Sequence, residues 1–337
     1  MRGIGHRSSP GGNASERYEC RLTPASPTPT RRIPLVDVAR GVALAAMTVY
    51  HFAWDLETFG YLLPGTIGQT GWVLFARAIA TTFLFLAGMS LVLAHGDGFR
   101  AGTFIKRTGM VAGAALLVSI ATRFTHPDAW IFFGILHAIA LFSILSVPFA
   151  RLPWWTAALA AVAVQIVDRL VADDRFTGPL WFLGLHETQP VSNDFVPLFP
   201  WWSATLAGVA AMKLLQGTTV WRRIGEARLP AMAQRPLAFV GQNSLLYYLV
   251  HQPVLIGALS AWVWAFGGPD VTPGFQHACQ QRCEETGGET VCRSFCGCVT
   301  KGLAGEGLLE PFAGGTLDGE GEARADALIQ QCRDASD

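Results

Sequence analysis

Seven apolar segments recur along the chain, and each approaches the roughly 20 residues that a helix needs to cross the hydrocarbon core of a bilayer. Only 15% of the residues are charged, whereas soluble domains carry roughly 25%. Alanine and leucine dominate the segments without apolar–polar alternation, which argues against a transmembrane β-barrel. The sequence therefore predicts an all-α polytopic membrane protein with about seven transmembrane helices, at residues 35–54, 72–94, 108–124, 129–149, 153–171, 197–215 and 243–266.

Basic residues fall mainly in the loops on one side of these segments. Nine Lys and Arg residues occupy the loops around 95–107, 150–152 and 213–242, against three in the opposite loops. The positive-inside rule makes the first group cytoplasmic. We therefore expect a multi-pass protein of the bacterial inner (cytoplasmic) membrane, with a cytoplasmic N-terminus and a periplasmic C-terminal tail. The formal net charge of zero gives no indication of a nucleic-acid partner.

Composition divides the chain into three parts. Residues 1–32 are rich in Pro, Ser, Gly and Arg and lack the apolar core of a signal peptide, which predicts a disordered cytoplasmic leader. An Arg-rich, acid-poor leader also leaves a mitochondrial-type presequence open. Residues 33–266 form the predicted transmembrane domain. Residues 267–337 form a predicted extracytoplasmic tail that is rich in cysteine.

The tail contains six of the seven cysteines. Two pairs of them are spaced i, i+4 on either side of a Thr-Gly-Gly turn, as on the facing sides of a helical hairpin. Disulfides form outside the cytoplasm, which agrees with the predicted topology. A zinc or iron–sulfur site is the alternative, and the expected role is a small stability or docking module. Six cysteines allow fifteen pairings, and the one proposed for this hairpin is Cys279–Cys296, Cys283–Cys292 and Cys298–Cys332.

The first segment carries four ionisable residues: Asp37, Arg40, His51 and Asp55. At about 100° per residue, all four fall within an arc of roughly 60° that extends for about 27 Å along the helix. A charge facing lipid costs at least about 2.5 kcal/mol, so this stripe is predicted to face the bundle or a hydrated cavity. Two structural alternatives stay open: an Asp37–Arg40 ion pair at the helix end, and an interhelical hydrogen bond for His51.

Other polar residues lie in the later segments. His137 lies in the fourth, and Asn243, Tyr247 and His251 form an i, i+4, i+8 stripe in the seventh. Arg77, in the second, is an intramembrane charge for which Asp37 or Asp55 could provide a partner. Three histidines on three helices could in principle bind a metal, but their depths differ, so no metal is expected.

Four motifs together resemble the heparan-α-glucosaminide N-acetyltransferase catalytic-domain family: "DVARG" (37–41), "FLFLAGMSL" (83–91), "IFFGILHAIAL" (131–141) and "VGQNSLLYYLVHQPVL" (240–255). The resemblance covers about residues 33–256. It implies an integral membrane acyltransferase that moves an acetyl group from cytosolic acetyl-CoA to an extracytoplasmic acceptor, typically an amino sugar. The family assigns catalysis to a histidine close after the first span, and His51 is the nearest match. The expected partners are membrane lipid, acyl-CoA and a sugar or glycan.

The resulting hypothesis gives each polar residue a role. His51, oriented by Asp55, is the predicted general base or acetyl carrier, with His251 as a further catalytic residue. Charge at Arg107 and its neighbours is expected to attract the phosphates of coenzyme A. Two other classes of function stay open, a transporter that uses the charged stripe as its path and a scaffold whose working part is the tail. The predicted donor- or substrate-binding residues are Asp37, Arg40, Arg77, Arg107, His137, Asn243 and Tyr247.

Overall fold

The computed structural model describes residues 34–95, 98–188, 190–227, 230–285 and 287–335. The predicted leader therefore lies outside the described residues. Within the described part the chain is helical and contains no strand. Its α-helices are α1 Pro34–Thr58, α2 Thr70–His95, α3 Ala101–Thr125, α4 Ile135–Arg151, α5 Trp154–Leu170, α6 Leu198–Leu215, α7 Thr219–Glu226, α8 Ala231–Gln242, α9 Ser244–Phe266, α10 Thr272–Glu284, α11 Glu289–Gly305, α12 Leu309–Ala313 and α13 Gly319–Asp334.

Each of the seven apolar segments falls on one helix, namely α1 to α6 and α9. Among the described residues, five of these helices (α1, α2, α3, α6 and α9) are long and apolar enough to cross a membrane. Helices α4 and α5 have 17 residues each. The prediction of an all-α membrane fold is confirmed. The fourth segment begins six residues later than expected, because a short 3₁₀ helix at Pro127–Ala129 and an extended stretch precede α4.

Glycines allow the central helices to approach closely. A Cβ atom at Gly88 of α2 would lie 2.0 Å from the carbonyl oxygen of Thr205, and one at Gly208 of α6 would lie 2.1 Å from that of Phe85. Neither position can therefore hold a side chain. Close backbone approach of this kind is a main source of helix association in lipid. It places α2 against α6, which also packs against α5 and α4.

Helix α8 crosses α1 in the same way. A Cβ atom at Gly41 would lie 2.1 Å from the carbonyl oxygen of Leu237, and one at Gly241 would lie 1.8 Å from that of Asp37. Gly41 is the glycine of the "DVARG" motif. The motif therefore has a packing role: it admits α8 against the beginning of α1, and α9 follows α8 after a break at Asn243.

The tail folds into the four helices α10 to α13. Its cysteines pair as predicted, as Cys279–Cys296, Cys283–Cys292 and Cys298–Cys332, with Cα–Cα distances of 5.8, 5.5 and 5.7 Å. All six thiols are bonded to one another in this arrangement, which supports the disulfide interpretation rather than the zinc or iron–sulfur alternative. Helix α10 packs on the loop between α1 and α2, where a Cβ atom at Gly274 would lie 3.6 Å from Pro64.

Candidate functional site

The polar residues of α1 lie on the side of the helix that faces the bundle. Asp37 is 8% exposed and Asp55 is 3% exposed, and Arg40 and His51 are half-buried. Val49, which is 56% exposed, lies on the other side. The helix can therefore carry four ionisable groups without presenting them fully to lipid, as the helical period predicts.

At the beginning of α1, the polar groups bond to one another. Arg40 Nη1 donates to Asp37 Oδ1 at 3.1 Å, and Gln242 Nε2 donates to Asp37 Oδ2 at 3.3 Å. Arg40 Nη2 donates to the Ser90 hydroxyl, which in turn donates to the carbonyl of Leu86. The ion pair left open by the sequence is thus present. It extends into a network that ties α1 to α2 and α8.

Further cationic groups lie near this network. Arg107 of α3 is within electrostatic range of Arg40 and of His95. The backbone N–H of Arg100 donates to His95 Nδ1 at 3.4 Å. Arg107, His95 and Phe104 line a small pocket of about 50 Å³ between α2, α3 and α4. Because ligand pockets typically enclose about 300–1,000 Å³, this pocket is too small to enclose a nucleotide, and Arg107 can attract phosphates only from its exposed face.

Near the other end of α1, two histidines meet across the α1–α9 interface. The ring centroids of His51 and His251 are 5.1 Å apart. His251 Nδ1 lies 2.7 Å from the carbonyl oxygen of Tyr248, so this nitrogen carries the hydrogen and donates it. The other ring nitrogen, Nε2, is buried and has no partner. His251 is therefore held as the neutral tautomer whose free lone pair can accept a proton.

Tyr247 holds the His251 ring from one side. The two rings are stacked with an interplanar angle of 6° and a centroid separation of 6.0 Å. The Tyr247 hydroxyl forms a 2.7 Å hydrogen bond with Thr48 Oγ1 on α1. Tyr247 thus positions the imidazole of His251 relative to α1, and its i, i+4 spacing from His251 explains why both face the same helix.

Asp55 does not orient His51. Its Oδ1 accepts a hydrogen bond from Gln252 Nε2 at 2.7 Å, and no Asp55–His51 ion pair occurs among the described residues. Asp55 Oδ2 and Gln252 Oε1 are both buried without partners, as is His251 Nε2. All three atoms are hydrogen-bond acceptors in this arrangement. The α1–α9 interface therefore presents acceptors that a ligand with several N–H or O–H donors would satisfy.

His137 lies apart from the other two histidines. Its Nδ1 accepts from the backbone N–H of Gly134 at 3.2 Å, and its Nε2 lies 3.2 Å from Ser119 Oγ, which donates to the carbonyl of Ile131. Both ring nitrogens therefore have protein partners, and the side chain caps the start of α4 and joins it to α3. Among the described residues, no group of three or more His, Cys, Asp or Glu is placed to hold a metal ion.

Two further predicted site residues are placed differently from the hypothesis. Arg77 is exposed on α2, and among the described residues it forms no ion pair with Asp37 or Asp55. The side-chain amide of Asn243 donates to the carbonyl of Phe239 at 2.9 Å. Asn243 therefore closes the end of α8 at the junction with α9.

Gln252 and Asp194 were not among the site residues predicted from the sequence. Gln252, next to His251 inside an apolar segment, carried the same signal as the histidine, because an amide inside a membrane helix needs a partner. Asp194 gave no such signal: it lies in a loop, yet it accepts from the backbone N–H of Ile135 at 2.8 Å and from the Tyr248 hydroxyl. Burial raises the pKa of Asp194 to about 6, and these two hydrogen bonds offset part of that rise.

The site described above lies in the part of the chain that matches a known protein family. The family model described as heparan-alpha-glucosaminide N-acetyltransferase, catalytic, matches residues 32–253. This region includes both ends of the α1 stripe, the His51–His251 pair and Gln252, and it stops before the cysteine-rich tail. No curated protein and no solved structure matches the chain.

Proposed function

Because the chain belongs to the heparan-α-glucosaminide N-acetyltransferase catalytic family, we propose that it transfers an acetyl group from acetyl-CoA to the amine of a sugar or glycan across the membrane. Family membership indicates a multi-pass membrane acetyltransferase. The donor, the acceptor and the direction of transfer are our proposal. The loop charges support a cytoplasmic site for the donor and an acceptor site on the opposite face, where the tail forms an extracytoplasmic module. We place the protein in the bacterial inner membrane.

The observation that carries the proposal is the state of His251. Its tautomer is fixed by the Tyr248 carbonyl, and its Nε2 is buried without a partner. In the proposed reaction, Nε2 takes one proton from the acceptor ammonium, and the neutral amine nitrogen that results attacks the thioester carbonyl carbon. The carbon–sulfur bond breaks, and the thiolate of coenzyme A leaves with the bonding electrons and takes the surplus proton from the new amide nitrogen. General-base catalysis of this kind contributes about 10²- to 10⁴-fold to a rate.

His51 is the second catalytic residue in this proposal. Its ring lies against that of His251 and is the more exposed of the two. A neutral imidazole retains one N–H donor. We assign this donor to the thioester carbonyl oxygen, where negative charge develops as the amine attacks. In this mechanism His251 removes the proton and His51 stabilises the oxyanion.

The acceptors around His251 favour an amine over a hydroxyl. Asp55 Oδ2, Gln252 Oε1 and His251 Nε2 each lack a donor. An ammonium group offers three N–H donors, whereas a hydroxyl offers one. The carboxylate of Asp55 also supplies the negative charge that a protonated amine needs in a buried place. N-acetylation therefore fits this site better than O-acetylation.

Arg40, which the sequence placed among the residues that bind acetyl-CoA, is not assigned to that role in this proposal. Its guanidinium is used by Asp37 and Ser90, which leaves the phosphates of coenzyme A to more exposed cations. Arg100, Lys106 and Arg107 are exposed at the start of α3 and can supply this charge. The donor would then enter near the Asp37 end of α1 and extend its thioester towards the His51 end.

Reconstituted vesicles test the proposal. Purified protein is inserted into liposomes that contain glucosamine, and acetyl-CoA with a radioactive acetyl group is added outside. We expect labelled N-acetylglucosamine inside, and no labelled product when glucose replaces glucosamine. The His251→Asn variant is the matched control, because asparagine keeps a donor for the Tyr248 carbonyl and lacks the base. Movement of unmodified glucosamine with no acetylation would instead identify a transporter and overturn the proposal.

A further inference from the structure

We propose that a second cavity, separate from the histidine site, binds a neutral glycolipid. We call it the aromatic cavity; it lies between α3, α4 and two connecting loops and has a volume of about 990 Å³. This lies at the upper end of the range for small-molecule sites. Its lining includes Ala112, Asp128, Trp130, Phe132, His137 and Trp181.

The floor of the aromatic cavity is apolar and is built from two membrane helices. Ala112 of α3 faces Ala140, Leu141 and Ile144 of α4 across it. Small residues on both helices leave a slot, and no polar atom in the side chains of this floor could bind a hydrophilic molecule. Because the residues of the slot are all apolar and lie on two membrane helices, its natural occupant is a hydrocarbon chain.

The upper wall is aromatic and lies in the connecting segments. Trp130 and Phe132 lie in the 126–134 connection, and Trp181 and Phe182 belong to the short 3₁₀ helix Gly178–Leu183. The rings of Phe132 and Trp181 are 5.9 Å apart. Aromatic rings beside a few hydrogen-bonding groups offer apolar faces on which the carbon-bound hydrogens of a sugar ring can pack, while its hydroxyls reach the polar atoms.

Polar atoms without partners lie in this wall and behind it, because Trp181 lines the cavity and His186 packs against Trp181 without lining the cavity. Trp181 Nε1 is buried with no acceptor, and both ring nitrogens of His186 are buried with no partner. His186 is 5% exposed, and its ring centroid lies 6.5 Å from that of Trp181. Burial lowers the pKa of His186, which keeps the ring neutral with one donor and one acceptor. Buried polar groups are normally hydrogen-bonded, so the N–H of the lining residue Trp181 points to a ligand that accepts a hydrogen bond, as a sugar hydroxyl does.

The charges of the lining select a neutral head group. Asp128 is the one carboxylate among the lining residues that the structure describes, and none of them is Lys or Arg. The nitrogens of His137 are already used by Gly134 and Ser119. An anionic phospholipid would meet a like charge and no cation here. A sugar on a lipid chain matches the apolar floor, the aromatic wall and the neutral polar atoms together.

Lipid binding to the purified full-length chain tests this inference without reference to acetyl transfer. The protein is held in a polyoxyethylene detergent, which contains no sugar, and titrated with radiolabelled glucosyl diacylglycerol or with phosphatidylglycerol of the same acyl chains. We expect the glycolipid to bind at least about tenfold more tightly, and dodecyl maltoside to compete with it. Equal binding of the two lipids would overturn the proposal.

Two variants locate the site. Ala112→Trp fills the slot and should abolish binding of the glycolipid, whereas Ala121→Trp, on the opposite and exposed face of α3, should leave it unchanged. Trp181→Phe keeps the ring but removes the unpartnered N–H, and should weaken binding about fivefold, the effect of one hydrogen bond. Trp181→Phe decides the question if Ala112→Trp fails to fold. Native affinity in both Trp181→Phe and a folded Ala112→Trp would place the lipid elsewhere.

Discussion

The two ends of α1 carry similar ionisable residues, but the polar atoms have hydrogen-bond partners at one end and lack some of them at the other. At the beginning of the helix, both oxygens of Asp37 accept hydrogen bonds and Arg40 bonds to Asp37 and Ser90. Five turns later, Asp55 has one bonded oxygen and one without a partner, and the neighbouring His251 has a free Nε2. The same helix thus has a closed end, defined by Asp37 and Arg40, and an open end, defined by His51 and Asp55.

The difference between the two ends suggests that the closed end serves stability and the open end serves catalysis. A saturated network resists change, because removing one partner leaves a buried charge uncompensated. A network in which some buried polar atoms lack hydrogen-bond partners lowers the stability of the ligand-free protein. Such atoms are found mainly at sites where a bound ligand supplies the missing hydrogen bonds. We therefore expect changes at the closed end to affect stability, and changes at the open end to affect acetyl transfer.

The largest effect is expected at the open end, from His251→Asn. The asparagine amide can still donate towards the Tyr248 carbonyl, but no base remains where Nε2 was. The rate of acetyl transfer should fall about 10²- to 10⁴-fold, measured from radiolabelled acetyl-CoA, with the melting temperature close to that of the native protein. His126→Asn, at an exposed histidine outside the site, is the control and should keep full activity. A fully active His251→Asn would remove His251 from the chemistry.

The next effect is expected at the closed end, from Arg40→Gln. This change leaves the carboxylate of Asp37 buried without its cation and should lower the free energy of unfolding by about 3 kcal/mol, measured by denaturant titration in detergent. Activity per folded molecule should be retained. The double variant Asp37→Asn with Arg40→Gln should recover most of the stability. Loss of activity in folded Arg40→Gln protein would return Arg40 to the donor site.

Asp55→Asn should change recognition of the acceptor. Asparagine keeps an oxygen for Gln252 Nε2 but removes the negative charge that the acceptor amine would meet. Because hydrogen bonds to charged groups are worth about 1.5–3 kcal/mol, KM for glucosamine should rise about tenfold or more, while KM for acetyl-CoA stays constant. Steady-state kinetics with each substrate varied in turn gives both values. An unchanged KM for glucosamine would separate Asp55 from the acceptor.

The smallest effect is expected from Tyr247→Phe. The variant keeps the ring stacked on His251 and loses only the hydrogen bond to Thr48 Oγ1. A single neutral hydrogen bond contributes about 1 kcal/mol, so kcat should fall no more than about fivefold. A loss as large as that of His251→Asn would mean that the hydroxyl itself takes part in the reaction.

The sequence predicted those features that depend on the period of one helix or on local spacing. The i, i+3 and i, i+4 positions of Asp37, Arg40, His51 and Asp55 place them on one face before any neighbour is known, and the cysteine spacing gives the hairpin of α10 and α11 with its disulfides. The family motifs were recognised from four short stretches, and the match over residues 32–253 confirms them.

The partners across the interface could not be predicted in this way. Whether Asp55 meets His51, Arg77 or Gln252 depends on how α2 and α9 are rotated against α1, which no local pattern fixes. Asp194 is the extreme case, because its loop reaches the start of α4 across 59 residues of sequence. The difference between the closed end and the open end of α1 therefore depends on long-range contacts that the sequence pattern does not reveal.

A structure of the protein with bound glucosamine tests the central claim most directly. The account predicts the amine nitrogen at the open end of α1, at about 2.7–3.2 Å from Asp55 Oδ2, Gln252 Oε1 and His251 Nε2, with the Asp37–Arg40 pair intact. An amine bound at the closed end, or an occupied enzyme in which those three atoms still have no ligand donor, would contradict it.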